Sequence, residues 1–557
     1  MIGIGDITTQ GVAAAPSLFG GNVLSTRNEL NTADGYAGAI DDLGVTNLRF
    51  PGGSLTEYYF DITDPDSDTG VHSETGQIKS LIPLSDFMAF AQENGHAVTL
   101  VLPSRHYISD ESDENGDRFA EVDEEALRSY IRDVASGAYG TAEISAFEIG
   151  NEYWHSGDMS AVEYGRVAAD MVRIVDQELS AVAQDNPAAE SIDVLVQIGQ
   201  NDGTGVLNGL VDGDSSTEIV EAFETRYDLD LDGDAIYRGG GVNYANIANE
   251  MIIAELENDG AMGAVDGVIA HIYSQGAEFE GSRTFLLDQI EATWREDYPT
   301  LETYVTEWNL KGSTDFLEED EDFGLFQAAE MLNIVEEFLT YDVTSANVWP
   351  LIQVTDNALS TTGVYGETNA PGGMFRWMAE NLPGMTLLDL NPNSARKTEA
   401  EFEDMSVHGF ADESDLLFYV VGEHEEGVSS TNLDISELVA DYGTIEIQIL
   451  GVEDGAKTGS NESAAFIETV DAADAVEDSV IDVNLDPGEI AQIIVRDYTF
   501  SSAYADILSP SQRSDGQTAD ETVPPPEVEE EAEDSGSGSA FDWVLALLPL
   551  AGLMGAG

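Results

Sequence analysis

The chain contains no cysteine, which removes disulfides, thiolate zinc centres and thiol nucleophiles from consideration. It is almost as poor in positive charge. Lys79, Lys311, Lys397 and Lys457 are its only lysines, and 20 Lys+Arg stand against 108 Asp+Glu, a formal net charge of -88. Phosphate recognition needs a basic face, so no nucleic-acid partner is expected. Anionic membranes are disfavoured on the same ground. So acidic a surface repels itself at low ionic strength, and salt or divalent cations screen that repulsion. The composition fits a saline habitat, a calcium-bearing exterior or a plain solubility strategy.

The ends of the chain lack other things. Met1-Ile2-Gly3-Ile4-Gly5-Asp6 has neither the basic n-region nor the apolar h-region of an ordinary N-terminal signal peptide. The apolar stretch 541–557 is short for a bilayer, contains Pro549 and several glycines, and has no basic residue after it. No stable membrane span is therefore expected. An acidic run at 527–534 and a Ser/Gly linker at 535–539 precede it. This tail resembles the uncleaved C-terminal export signals of type I secretion substrates, which implies export machinery as a partner and a secreted, extracellular protein. A membrane-tethering tail or a docking peptide is the alternative.

Between about residues 17 and 387, short apolar strands alternate with amphipathic helices, the pattern of a parallel α/β architecture. Strands are expected at 18–22, 47–50, 97–102, 145–149, 193–198, 267–272, 303–306 and 346–349. Eight strands over this length suit a (β/α)8 TIM barrel with inserted loops. The helices carry matching punctuation. Residues 84–94 place Phe87, Phe90 and Ala91 on one face and stop at Gly95, and Ser160-Ala161-Val162-Glu163 is a capping box that opens a long helix. After Asn391 the runs 415–421, 444–450, 480–485 and 490–495 are β-rich with turns between them. The expected organisation is a catalytic barrel at 1–390, an accessory β-sandwich at 391–500, a disordered acidic Pro/Ser/Gly linker at 501–540 and the apolar tail at 541–557.

Two glutamates stand out of the acidic background. Glu152 follows the apolar run Ala146-Phe147-Glu148-Ile149-Gly150-Asn151, and Glu307 follows Thr303-Tyr304-Val305-Thr306. Each sits at an expected strand end beside tryptophan and asparagine, where barrel enzymes place their chemistry. Cleavage of a glycosidic bond needs such a carboxyl pair. The acid member needs its pKa raised by apolar surroundings or a nearby carboxylate, and the nucleophile needs hydrogen-bond donors that keep it ionised.

Three motifs in register extend this pattern: Leu48-Arg49-Phe50-Pro51-Gly52-Gly53 at strand 2, Gly150-Asn151-Glu152 at strand 4 and Thr306-Glu307-Trp308-Asn309 at strand 7. With them the chain resembles the retaining glycoside hydrolases of the large (β/α)8 clan, nearest the arabinofuranosidase, β-xylosidase and heparanase/glucuronidase groups. The resemblance implies Glu152 as acid/base and Glu307 as nucleophile. It implies Asn151 on the sugar 2-hydroxyl, Arg49 beside the nucleophile, Tyr273 in contact with it and Trp349 as the floor of the sugar subsite. Trp154, Trp308 and Asn309 are expected to line the same site, and His106 and His155 to be solvated loop histidines at its mouth. The substrate implied is an extracellular polysaccharide or oligosaccharide, with no cofactor required. Non-catalytic carbohydrate binding, or an acidic calcium-binding surface role on a retired barrel, is the rival reading.

Calcium enters through Asp228-Leu229-Asp230-Leu231-Asp232-Gly233-Asp234, which copies the first half of a calcium loop. Asp228, Asp230 and Asp232 are its candidate ligands. Gly239 stands where the bidentate glutamate belongs, so an outside carboxylate would have to complete the site.

Overall fold

The computed structural model describes residues 2–3, 7–26, 29–312, 314, 317–318, 321–353, 355–392, 394, 397–402, 404–424 and 427–508. The expected linker beyond 508 and the expected export tail lie outside the described residues.

Eight parallel strands close into a barrel: β1 (Gly20–Asn22), β2 (Asn47–Phe50), β3 (Ala97–Leu102), β4 (Ile144–Ile149), β5 (Asp193–Gln197), β6 (Gly267–Ser274), β7 (Glu302–Leu310) and β8 (Val343–Val348). All eight overlap the expected segments, with two informative departures. Pro16 starts a 3-10 turn over Pro16–Phe19, so β1 begins only at Gly20. β6 and β7 run on past their expected ends, because His271, Ile272, Tyr273 and Ser274 pair with Glu307, Trp308, Asn309 and Leu310.

Barrel interiors fill in layers, since alternate side chains point inward. Near the bottom, Ala146, Leu195, Ile269 and Tyr304 form an apolar plug. Two residues further along their strands, the inward positions are Glu148, Gln197, His271 and Thr306, and all are buried. The register of β7 shifts here: Ala270 pairs with Val305 but His271 with Glu307, leaving Thr306 as an extra residue. Such a bulge lets two successive side chains face the same way. Thr306 and Glu307 both enter the barrel in consequence.

The second domain is a β-sandwich. Its larger sheet runs, in spatial order, Thr8–Gln10, β9 (Thr386–Asp389), β10 (Met405–Ala411), β11 (Asp415–Gly422), Ile490–Arg496, Thr444–Val452 and Ala465–Val470. The smaller sheet holds Ile2–Gly3, Ser429–Asp434, Val480–Leu485 and Val476–Glu477. The N-terminal strands thus belong to the sandwich, although the sequence pattern groups them with the barrel.

Helix α1 (Leu325–Thr340) joins the domains. Its first turn has unpaired N–H groups. A sandwich loop supplies acceptors: Thr458 O takes the Leu325 N–H at 2.8 Å, and Asn461 Oδ1 takes the Gly324 N–H at 3.0 Å. Further along, Glu336 meets His408 of β10 at 2.9 Å, both buried. Burial opposes charge on His408, but Glu336 outweighs it and raises its pKa. Burial pushes the neighbouring Glu337 up to about 8, against the pull of Arg283. The folded state therefore holds more protons than the unfolded one, from about pH 4.5 to 8 for Glu337 and above about pH 6.5 for His408. Stability should fall as pH rises through that window. Melting temperature measured from pH 5 to 9 at constant high salt checks this, and the slope should flatten in Glu337→Gln and His408→Gln.

Candidate active site

At the top of the barrel Arg49 is fully buried and has all five of its N–H donors engaged. Nε and Nη2 reach the two oxygens of Glu148, each at 2.7 Å. Nη2 also donates to Asn151 Oδ1 at 2.8 Å, and Nη1 to Asn22 Oδ1 at 2.9 Å and to Glu307 Oε1 at 2.8 Å. The other oxygen of Glu307 accepts from the Tyr273 hydroxyl at 2.8 Å. Both oxygens of Glu307 are therefore held by donors from different strands. Burial, and then Glu307 and Glu152, keep the Tyr273 phenol protonated far above neutral pH.

Glu152 sits on the turn after β4. Gly150 (φ 76°) and Glu152 itself (φ 45°) are both left-handed, which turns the carboxyl back over the barrel mouth. A Cβ on Gly150 would come within 2.5 Å of Ser104 Oγ, so the turn also needs a glycine for space. Glu57, on the short helix Leu55–Tyr59, supports this turn from below. Its carboxylate accepts from the backbone N–H groups of Ser104, Arg105 and Asn151 at 2.9, 2.8 and 2.8 Å, tying the ends of β3 and β4 together. Burial drives its pKa up and those bonds pull it back in part.

The two carboxyls face one another across a small gap. An oxygen of Glu152, an oxygen of Glu307 and a ring nitrogen of His271 all lie within 4.8 Å of one another. Their exposures differ: the Glu152 side chain is 26% exposed and that of Glu307 6%. His271 Nδ1 stands 3.3 Å from Glu152 Oε1, and its Nε2 stands 3.2 Å from Thr306 Oγ1. Thr306 donates its hydroxyl hydrogen to Glu148, so it accepts from the Nε2–H of His271. That fixes the tautomer and leaves one mobile proton between Nδ1 and Glu152. Burial pushes the Glu152 pKa up, but the histidine outweighs it and the net direction is down. Burial likewise opposes charge on His271, and Glu307 and Glu152 raise its pKa regardless. Resting Glu152 is thus lower than apolar surroundings and a second carboxylate alone would set it, and His271 is the reason.

The aromatic residues divide. Trp349 is half-buried at the end of β8 and lies against the Gly52-Gly53 turn, where a Cβ on Gly53 would come within 2.6 Å of the indole. Trp154 is 6% exposed and meets His271 edge-on at 6.1 Å between ring centroids, so it packs beneath the acid turn. Trp308 corrects the sequence reading: it is fully buried outside the barrel against Phe338 and Phe375 and lines no cleft. The bulge spends the inward position on Glu307 and sends the next residue out. Asn309 is also buried, donating to the carbonyls of Trp349 and Asn357 at 2.8 and 2.9 Å, and so braces the end of β8.

Around the mouth, His155 pairs with Asp202 at 3.1 Å, and this bond raises its pKa. The insertions after β3 and β5 join, as Arg226 donates to Asn115 O at 2.7 Å. Asp228, by contrast, ends the helix Ser216–Tyr227 in a left-handed turn (φ 55°), and Asp232 Oδ1 accepts from the N–H of Asp234 at 2.8 Å. Among the described residues, the grouping of three or more His, Asp or Glu side chains close enough to share an ion is Glu152, His271 and Glu307; Asp228, Asp230 and Asp232 are not in it.

Glu148, Glu57, Asn22 and the role of His271 were missed in the motifs. Glu148 had a signal: it is a charged residue at an inward position of a buried strand, and Arg49 is the inward cation two strands away. Glu57 had none.

No protein-family model and no curated protein matches the chain. Solved structures do. A family 51 α-L-arabinofuranosidase from Bifidobacterium longum aligns with TM-score 0.58 at 14% identity, covering 88% of this chain and 98% of that one. An α-L-arabinofuranosidase from Thermotoga maritima aligns with TM-score 0.54 at 14% identity, over 88% and 99%. A family 44 xyloglucanase from Paenibacillus polymyxa aligns with TM-score 0.52 at 10% identity, over 88% and 98%. The chain has the two-domain fold of these glycoside hydrolases, a (β/α)8 barrel with a C-terminal β-sandwich.

Proposed function

We propose that the protein is a retaining glycoside hydrolase acting on the O-glycosidic bonds of an extracellular polysaccharide or its oligosaccharides. The observation that carries this reading is the gap of at most 4.8 Å between the carboxyl oxygens of Glu152 and Glu307. Retaining enzymes place the pair about 5–5.5 Å apart, whereas inverting enzymes leave about 6.5–9.5 Å for a water. Glu307, oriented by Arg49 and Tyr273, attacks the anomeric carbon. Glu152 protonates the departing oxygen with the proton it shares with His271. The glycosyl–enzyme ester forms as the glycosidic bond breaks. Glu152 then takes a proton from water, which releases the sugar and regenerates Glu307. The Asn151 amide oxygen is held by Arg49 and one amide hydrogen goes to Ser156 Oγ at 3.2 Å, so the second amide hydrogen is the group offered to the 2-hydroxyl. Trp349 supplies an apolar platform for a sugar face. These steps use no cofactor. The acidic surface supports a saline or calcium-bearing exterior as the working environment, with calcium as a screening ion.

The test is the dependence on leaving group. Glu152→Gln should lower kcat/KM about 10²–10⁴-fold on alkyl or natural glycosides, whose leaving oxygen needs a proton. Dinitrophenyl glycosides, which leave without one, should show a far smaller loss in the first step. Equal losses on both would remove Glu152 from the acid role.

A further inference from the structure

We propose that Glu152, His271 and Glu307 form a binding site for a borderline divalent cation of the zinc type, which blocks the catalytic centre. Two of the three edges of this group approach those of a tetrahedral site. Zinc bonds of about 2.0–2.1 Å to nitrogen and oxygen place neighbouring ligand atoms about 3.3–3.4 Å apart. His271 Nδ1 lies 3.3 Å from Glu152 Oε1 and 3.8 Å from Glu307 Oε2. The third edge, between the two carboxyls, is at most 4.8 Å. Glu152 can shorten it, because its side chain is the partly exposed one and stands on a turn rather than in a strand.

The surroundings supply what a metal-binding histidine requires. Its second ring nitrogen must be engaged by a fixed partner, which holds the ring and presents the other lone pair. Thr306 Oγ1 does this at 3.2 Å, and Glu148 orients Thr306 in turn. Glu307 binds the ion through a lone pair of Oε2, the oxygen that also accepts from the Tyr273 hydroxyl, and keeps Oε1 on Arg49, so the buried guanidinium loses no partner. A fourth ligand would be water, arriving from the side on which Glu152 is 26% exposed. The ion takes the place of the mobile proton between His271 and Glu152, so the acid and the nucleophile are occupied together. One imidazole and two carboxylates favour zinc or copper over calcium or magnesium, which ask for more oxygen ligands. The strongly negative surface concentrates cations of either kind but does not select among them.

The binding claim stands without the glycosidase reading; only its inhibitory consequence rests on it. Calorimetry with zinc chloride on the full chain, in molar NaCl with millimolar calcium to saturate the surface, should give one equivalent of zinc bound. His271→Asn and Glu152→Gln should each weaken that event at least tenfold, while Asp230→Asn leaves it unchanged. Cobalt(II) added to the wild-type protein gives a readout independent of variant folding: intense visible bands of a four- or five-coordinate site support the proposal. Zinc binding that survives both variants, or only the weak spectrum of six-coordinate cobalt, overturns it. Where glycosidase activity is present, half-inhibition should occur at the calorimetric dissociation constant and reverse with EDTA. A protein that binds zinc in this way but cleaves no glycoside would refute the catalytic reading alone.

Discussion

Replacing Glu307 with alanine should reduce turnover about 10⁴-fold or more, the scale seen when a covalent nucleophile is removed. Binding of intact substrate should change little, because the loss lies in the transition state. The vacated space beside Arg49 and Tyr273 then accepts a small anion. Added azide should restore part of the activity by attacking the anomeric carbon from the face Glu307 occupied. The product is a glycosyl azide of opposite configuration to the starting glycoside, readable by proton NMR. Azide acting on Glu152→Ala should instead give the original configuration, since there it replaces water in the second step. If Glu307→Ala retains near-normal turnover, or if azide yields the original anomer with it, Glu307 is not the nucleophile.

Arg49→Met should cost about 3–5 kcal/mol of folding stability, the range for breaking a buried ion pair from one side. The magnitude follows from what remains. Glu148 is fully buried with both oxygens on Arg49, and Glu307 loses one of its two donors. Lysine does not substitute, since one ammonium cannot serve five acceptors in a plane. The double variant Arg49→Met/Glu148→Met should recover part of the loss, because it removes the fully buried carboxylate and leaves Glu307 and the amide oxygens of Asn22 and Asn151 to be accommodated. Urea unfolding in molar NaCl measures each state of the cycle. A single-variant cost below about 1 kcal/mol would show that solvent, not Arg49, compensates these carboxylates.

The legible parts of this molecule are those encoded locally. Periodicity identified all eight barrel strands, and the pairing of a strand end with a glutamate pointed to Glu152 and Glu307. Parity along β4 makes Glu148 an inward charge, which calls for a cation. What escaped was set by contacts between distant segments. The extra residue in β7 exists only against its neighbours β6 and β8, so strict alternation gives no sign that Thr306 and Glu307 share a face or that Trp308 turns outward. The lowered Glu152 depends on His271, 119 positions away. Glu57 acts through three backbone N–H groups whose positions no side-chain pattern records.

The strand Thr8–Gln10 runs antiparallel to β9, with Thr8 bonded to Asp389, 381 positions later. On the ribosome, this segment emerges long before its neighbour is made. It must wait, unpaired, while the whole (β/α)8 ring is translated. Closing this edge of the sandwich therefore belongs among the last events of biogenesis, and it ties Thr8–Gln10 across the finished ring. Cutting the gene near residue 390 would divide this sheet rather than separate two autonomous modules.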